Sequence, residues 1–444
     1  MADLHSHAVE PSERLDTTPA PAWRSLPALL RSLGAATVVA AVSIFLLQGW
    51  DQGNDVQRYL ILLAHTVGLA GLGFASGRWI GESKGARLLV ALALASVPAN
   101  FAVVGGFVYS QFGVNTAAML YPAFATWQVA SPSAALLCAA SALVLLSPVA
   151  WLGFMVLTRR FALRFTALYM LTNAMLVLPV RDPVIVGWGA LALTVAVLAT
   201  IARTARGEVA LRTPEGVIAR TLQIVPVGLI LARNLWLYSA DSLLFTVIAM
   251  VAFLLLRHVA LLLEPSGKAR SILEAVAIAP AASAALGATD LFLYTLPYAG
   301  EFALPFFAFV FAGLVLEISL RSGRGGAGYR RLAAGIVSVA LIGNLILIGG
   351  AAMAALCLLF GLALIVAGHM VEQRVIFVLG LLMLAVGLAY QLHYVIALFD
   401  LGSWASLALL GVAAILFGSA IERHGQRLKG YATQWGRQLR AWEN

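Results

Sequence analysis

Charge is what this chain has least of: Asp, Glu, Lys and Arg make up only 11% of 444 residues, against 61% hydrophobic, whereas soluble domains carry about 25% charged residues. That scarcity excludes an ordinary soluble fold and implies an integral membrane protein. Cysteine is almost missing. Cys138 and Cys357 both lie inside apolar runs, which leaves neither a disulfide framework nor a thiolate metal site, so both read as small buried residues and no metal is expected. No catalytic motif is present, and none of the residues is assigned a catalytic role. The Gly-rich stretch 322–328 lacks a following Lys-Ser/Thr pair and a βαβ pattern, so it reads as a flexible loop and not a phosphate cradle. Residues 1–27 have no basic segment leading into a cleavage site. With Asp3, Glu10, Glu13, Asp16 and three prolines, they read as a disordered cytoplasmic tail.

What the chain has instead is apolar runs of membrane-spanning length. In order they cover 30–50, 59–76, 88–109, 134–157, 161–179, 183–202, 217–238, 242–263, 271–289, 300–320, 332–349, 351–369, 375–397 and 402–421. A helix needs about 20 such residues to cross ~30 Å of hydrocarbon. The runs 332–349 and 351–369 together would measure about 57 Å as one helix, too long for a single crossing, so Gly349 and Gly350 are expected to turn the chain between them. The expected fold is all-α: a polytopic membrane helix bundle of about 14 transmembrane helices over 28–421, both termini cytoplasmic.

Charge supports that count. With the amino terminus inside, all but three of the 29 Lys and Arg fall on inner segments or inner helix ends, the exceptions being Arg58, Arg181 and Arg233. The net charge of +9 therefore reflects membrane orientation and not nucleic-acid binding. The outer connections carry Asp51, Asp55, Asp182, Asp241, Asp290, Glu301 and Asp400, a mildly acidic rim. Two of them, 110–133 and 290–300, are long and rich in Tyr, Phe and Trp, and are expected to lie in the interface or dip back into protein.

At the carboxyl end, Leu428, Tyr431, Trp435, Leu439 and Trp442 recur at spacings of three and four, with Arg427, Lys429, Arg437 and Arg440 around them. Residues 422–444 thus form an expected basic amphipathic helix on an anionic cytoplasmic leaflet. A membrane-protein partner is the alternative ligand for that face; the lipid bilayer is the first.

Two stretches carry a family likeness. They are LGAATVVAAVSIFLLQGWDQGNDVQRYLILLAHTVGLAG (33–71), continuing to ANFAVVGGFVYSQFG (99–113), and the closing LGLLMLAVGLAYQLHYVIALFDLGSWASLALLGVAAILFGSAIER (379–423). Both resemble an uncharacterised family of bacterial polytopic inner-membrane proteins, in which an aromatic-acid turn follows the first helix and a Gly-rich helix ends in a basic stop. The likeness covers about a quarter of the chain. This sequence departs from the family pattern in lacking a folded amino-terminal cytosolic segment and in adding a helix-rich middle. The resemblance implies a bacterial cytoplasmic (inner) membrane and brings no activity with it.

Polar side chains inside spans are the candidate substrate-binding residues, because hydrocarbon tolerates them only when paired or hydrated. His65, Asn100, Asn173 and Asn344 fall near mid-membrane; Arg233, Asn234, Gln391 and His393 lie in the outer leaflet, beneath Asp241 and Asp400. An outward-opening polar cavity would gather them. The competing reading is that each amide or imidazole bonds a neighbouring helix. His65 and His393 as haem ligands would need facing helices and an acceptor for each second ring nitrogen, so no cofactor is expected.

Glu274 and Glu317 stand four residues from Arg270 and Arg321 and read as ion pairs at helix ends. Gly361 with Gly368, Gly380 with Gly387 and Gly411 with Gly418 repeat at seven, which marks close helix packing. Three function classes follow: a transporter or flippase, a non-catalytic membrane scaffold or assembly subunit, and a membrane enzyme acting on a lipid-linked substrate.

Overall fold

The apolar runs fold as helices because nothing else satisfies the backbone N–H and C=O groups in lipid. A computed structural model describes residues 26–47, 54–81, 83–113, 125–205, 208, 211, 213–237, 241–263, 267–322 and 325–398, with three further positions at 408, 412 and 415. Among the described residues there is no strand. The helices are α1 (Leu26–Leu47), α2 (Asp55–Ala75), α3 (Ser83–Phe112), α4 (Pro132–Leu157), α5 (Ala162–Val177), α6 (Pro183–Ala205), α7 (Pro214–Leu222), α8 (Val225–Leu237), α9 (Ser242–Leu262), α10 (Lys268–Val276), α11 (Ile278–Thr295), α12 (Ala303–Arg321), α13 (Gly326–Leu347), α14 (Ala351–Met370) and α15 (Arg374–Leu398).

Twelve helical stretches among the described residues are long and apolar enough to cross a membrane. They correspond to twelve of the expected runs. The run 161–179 differs: Arg159–Phe161 form a 3-10 turn and α5 keeps 16 residues, about 24 Å of helix. All of the run 402–421 but those three positions, the tail 422–444, Asp400 and most of residues 1–27 lie outside the described residues.

Helix starts follow capping chemistry. Asn54, Ser131, Thr213 and Asp241 each accept from a backbone N–H of the first turn, and Pro132 and Pro214 occupy the first helical position, where no N–H is needed. Proline also explains two interruptions that the apolar runs conceal. Pro226 follows the α7–α8 break and Pro280 the α10–α11 break; four residues before them stand Leu222 and Val276, the last residues of α7 and α10. A proline ring clashes with the carbonyl four residues back and offers it no N–H, so the helix stops there. Pro98 and Pro148, by contrast, sit inside α3 and α4 without ending them.

The chain packs as two compact units, Met1–Val180 with Ala199–Arg233, and Arg181–Leu198 with Asn234–Asn444. In the first unit, α3 packs against α2, α4 and α5. Its core joins Phe107, Phe154, Phe165 and Tyr169, all fully buried, with Phe154 meeting Phe165 and Tyr169 edge to face at 5.9 and 5.4 Å. The described part of the long 110–133 connection is docked onto these helices. Gln111 Nε2 donates to the Val129 carbonyl (2.7 Å), and Trp127 packs on Phe107 beneath the Arg58 guanidinium (4.3 Å).

In the second unit, α9 packs on α11, α12 on α13, and α14 on α15. The α14–α15 seam is the close approach that the sevenfold glycine spacing anticipates: a Cβ at Gly361, Gly368 or Gly380 would come within 2.8 Å of a backbone nitrogen across the interface. The α13–α14 turn lies at Gly349 and Gly350, both with positive φ (80° and 104°), and Tyr390 Oη accepts from the Gly350 N–H. Gly411 and Gly418 fall outside the described residues.

Candidate functional site

Each intramembrane amide of the expected polar layer that is fully buried is bonded, and to a partner outside that set. In the first unit, Asn100 Nδ2 donates to Thr66 Oγ1 on α2 (2.8 Å) and to the Ser96 carbonyl. Asn173 Nδ2 donates to the Tyr169 carbonyl, and Arg233 Nη1 to the Leu176 carbonyl (2.9 Å), against which Gly105 packs. His65 is half-buried beside Thr66 on α2. Asn100 and Asn173 keep their Oδ1 atoms without a partner among the described residues. In the second unit, Asn234 Nδ2 donates to the Arg181 carbonyl (3.1 Å), Asn344 Nδ2 donates to the Glu301 carbonyl (2.8 Å), and Asp241 caps α9 through the Leu244 N–H (2.8 Å). Gln391 is half-buried and His393 exposed on α15. The Asn100, Asn234, Asn344 and Arg233 bonds tie separate segments together, the use to which membrane proteins put most such groups, while Asn173 bonds within α5 and Asp241 within the first turn of α9.

The pairs Arg270–Glu274 (2.9 Å) and Arg321–Glu317 (3.3 Å) form as their spacing requires. The structure adds what spacing could not supply. Arg257 of α9, only 3% exposed, reaches both acids, with Nη1 3.3 Å from Glu274 and Nε 2.8 Å from Glu317. Arg270 also donates to the Arg321 carbonyl. Three arginines and two glutamates from α9, α10 and α12 therefore make one cluster, and it stands next to the break that Pro280 imposes.

From that break a groove runs along the flank of the unit, between α9 and α11. It encloses about 810 Å³ and extends from Ala279 and Pro280 to Asp290 and Leu293, about 21 Å of helix rise. Its walls are apolar apart from a seam of small polar groups: Ser242 and Thr246 on α9, and Ser283, Thr289 and Asp290 on α11. The two helices close on each other at Gly287, where a side chain would collide with Thr246. Ser283 and Asp290 are exposed to the groove mouth. An apolar slot with a hydroxyl seam suits a molecule that is apolar along most of its length and polar at one end. Sequence reasoning missed it because all its polar members but Asp290 are Ser and Thr, which cost little in a span and do not stand out in an apolar run, while Asp290 was read only as part of the acidic outer rim.

Among the described residues no group of three or more His, Cys, Asp or Glu is placed to hold a metal ion. No protein-family model, curated protein or solved structure matches this chain, so its functional reading rests on its own residues.

Proposed function

We propose that the chain is a fourteen-span protein of a bacterial cytoplasmic membrane, both termini inside, that moves an amphipathic or lipid-linked molecule between leaflets in the manner of a flippase. The groove between α9 and α11 carries this reading. A lipid crossing a membrane must keep its chain in hydrocarbon while its polar head finds hydrogen-bonding partners. Ser283, Thr246, Ser242 and Asp290 offer such partners at successive positions along one apolar slot. The helix break at Ala277 lies at its foot, and discontinuous helices accompany many transport sites.

The test is translocation of a fluorescent phospholipid in proteoliposomes, read by quenching from outside. The intact protein should exceed protein-free vesicles, and Ser283→Leu, at an exposed position that tolerates an apolar side chain, should slow the exchange. A rate equal to that of empty vesicles from folded protein would defeat the proposal. The topology is checked separately: a periplasm-active reporter fused after Asp182, Asp241 or Asp400 should be active, and one fused after Arg206, Arg324 or Asn444 silent.

A scaffold or assembly subunit is the second reading, favoured by the amides spent on neighbouring helices and by the glycine seam of α14 and α15. It predicts no translocation and stable co-purification of a membrane partner.

A further inference from the structure

A second cavity, in the first unit and independent of the groove, has different chemistry. It measures about 340 Å³ and lies where the α4–α5 connection, the first turns of α3 and the start of α7 converge. We infer that it is a binding site for a phosphate group, held by Arg87, Arg159 and Arg160.

Three guanidinium groups line this cavity against a single carboxylate, Glu215. Glu215 binds Arg87 through Nη1, and Glu208, outside the lining, binds Arg160 through Nη1. A guanidinium has five N–H donors, so each of these pairs anchors its arginine and leaves donors for an incoming anion. Arg159 is exposed and paired with no carboxylate among the described residues. Arg160 is further steadied by stacking on Phe161. The start of α7, capped by Thr213, forms one wall, and its first turn contributes partial positive charge. Arginine's planar fork suits phosphate oxygens better than a point charge does, and the volume lies within the range of small-molecule pockets. Arg159 and Arg160 belong to a connection, and Arg87 to the start of α3, on the expected cytoplasmic side at the level of lipid headgroups. The phosphate can thus come from an anionic lipid or from a soluble phosphorylated compound.

The experiment uses the full-length purified protein in two arms. In one, thermal unfolding is followed in phosphatidylcholine nanodiscs with and without phosphatidylglycerol. In the other, it is followed in detergent with glycerol phosphate, using chloride at equal ionic strength as reference. At least one arm should raise the unfolding temperature of the intact protein, and Arg159→Gln should weaken apparent affinity about tenfold, the size of one hydrogen bond to a charged group. A shift with phosphatidylglycerol alone identifies a lipid headgroup; a shift with glycerol phosphate identifies a soluble ligand. Lys268→Gln removes the same charge from an exposed position in the other unit and should leave the shift intact. No shift in either arm, or equal loss in Arg159→Gln and Lys268→Gln, would overturn the inference.

Discussion

The two proline-broken helices end in opposite ways. At the α7–α8 break, Gln223 is fully buried and its Nε2 donates to the Phe165 carbonyl of α5 (3.0 Å), while Arg220 folds back onto the Gly216 carbonyl of its own helix. The carboxylate of that short helix, Glu215, reaches outward to Arg87, and the pair stays partly solvated, with side-chain exposures of 46% for Arg87 and 26% for Glu215. At the α10–α11 break, Ala277 has no polar group to place, and Arg270 and Glu274 turn inward to meet Arg257. The first short helix borders an open, cation-rich cavity at its start, whereas the second is locked into an ion cluster whose Arg257, Arg270 and Glu274 are buried. Proline determines where each helix stops, and the charges on the short helix before it determine what that helix can bind.

The strongest way to break this comparison is Arg257→Met. Removing this guanidinium breaks the ion-pair bridge between Arg270–Glu274 and Arg321–Glu317; loss of a partner from a buried ion pair costs up to about 3–5 kcal/mol, so the change should appear as a clear fall in unfolding temperature with membrane insertion retained. Combining it with Glu274→Gln should cost less than the sum of the two, because partners in one network are not additive. Strict additivity would mean that Arg257 is held by something other than the cluster.

Much of this fold was legible in the apolar runs, and part of the site was not, for identifiable reasons. Helix positions, the Gly349–Gly350 turn, the seven-residue glycine seam and the pairs at Arg270–Glu274 and Glu317–Arg321 are all local, and local spacing reveals them. Arg257 stands 17 and 60 residues from its two acids, so only tertiary packing brings them together. The breaks were concealed because proline is ambiguous: Pro98 and Pro148 leave their helices continuous while Pro226 and Pro280 do not. Of the run 161–179, α5 keeps 16 residues, because Phe161 closes a 3-10 turn with Arg159 and Arg160 and the helix ends at Val177. Of the expected polar layer, Asn100, Asn173, Asn234 and Asn344 each donate to a backbone carbonyl, a use that hydropathy cannot separate from lining a cavity.

A smaller effect sharpens the contrast at the breaks themselves. Gln223→Leu removes a single neutral hydrogen bond between α5 and the α7–α8 break, so it should cost about 1 kcal/mol, well below Arg257→Met in the same unfolding measurement. A loss as large as that of Arg257→Met would show that the first unit's break also depends on a buried polar network.

The smallest stability effect should come from Glu215→Gln, and it is the most discriminating of the three. Exposed ion pairs are worth about 0–1 kcal/mol, so the unfolding temperature should hardly move, whereas Glu274→Gln, which opens a buried cluster, should lower it clearly. Affinity should respond in the other direction. Among the described residues Glu215 is the only carboxylate in the cavity lining; neutralising it removes a repulsion and frees an Arg87 donor, so the phosphate-bearing probe that stabilises the intact protein should bind more tightly to the variant. If Glu215→Gln destabilised the protein as much as Glu274→Gln, the first unit's end would be as closed as the second's. If stability held but probe affinity fell, Glu215 would be positioning Arg87 for the anion and not competing with it, and the open end would need Arg87 beside Arg159 and Arg160.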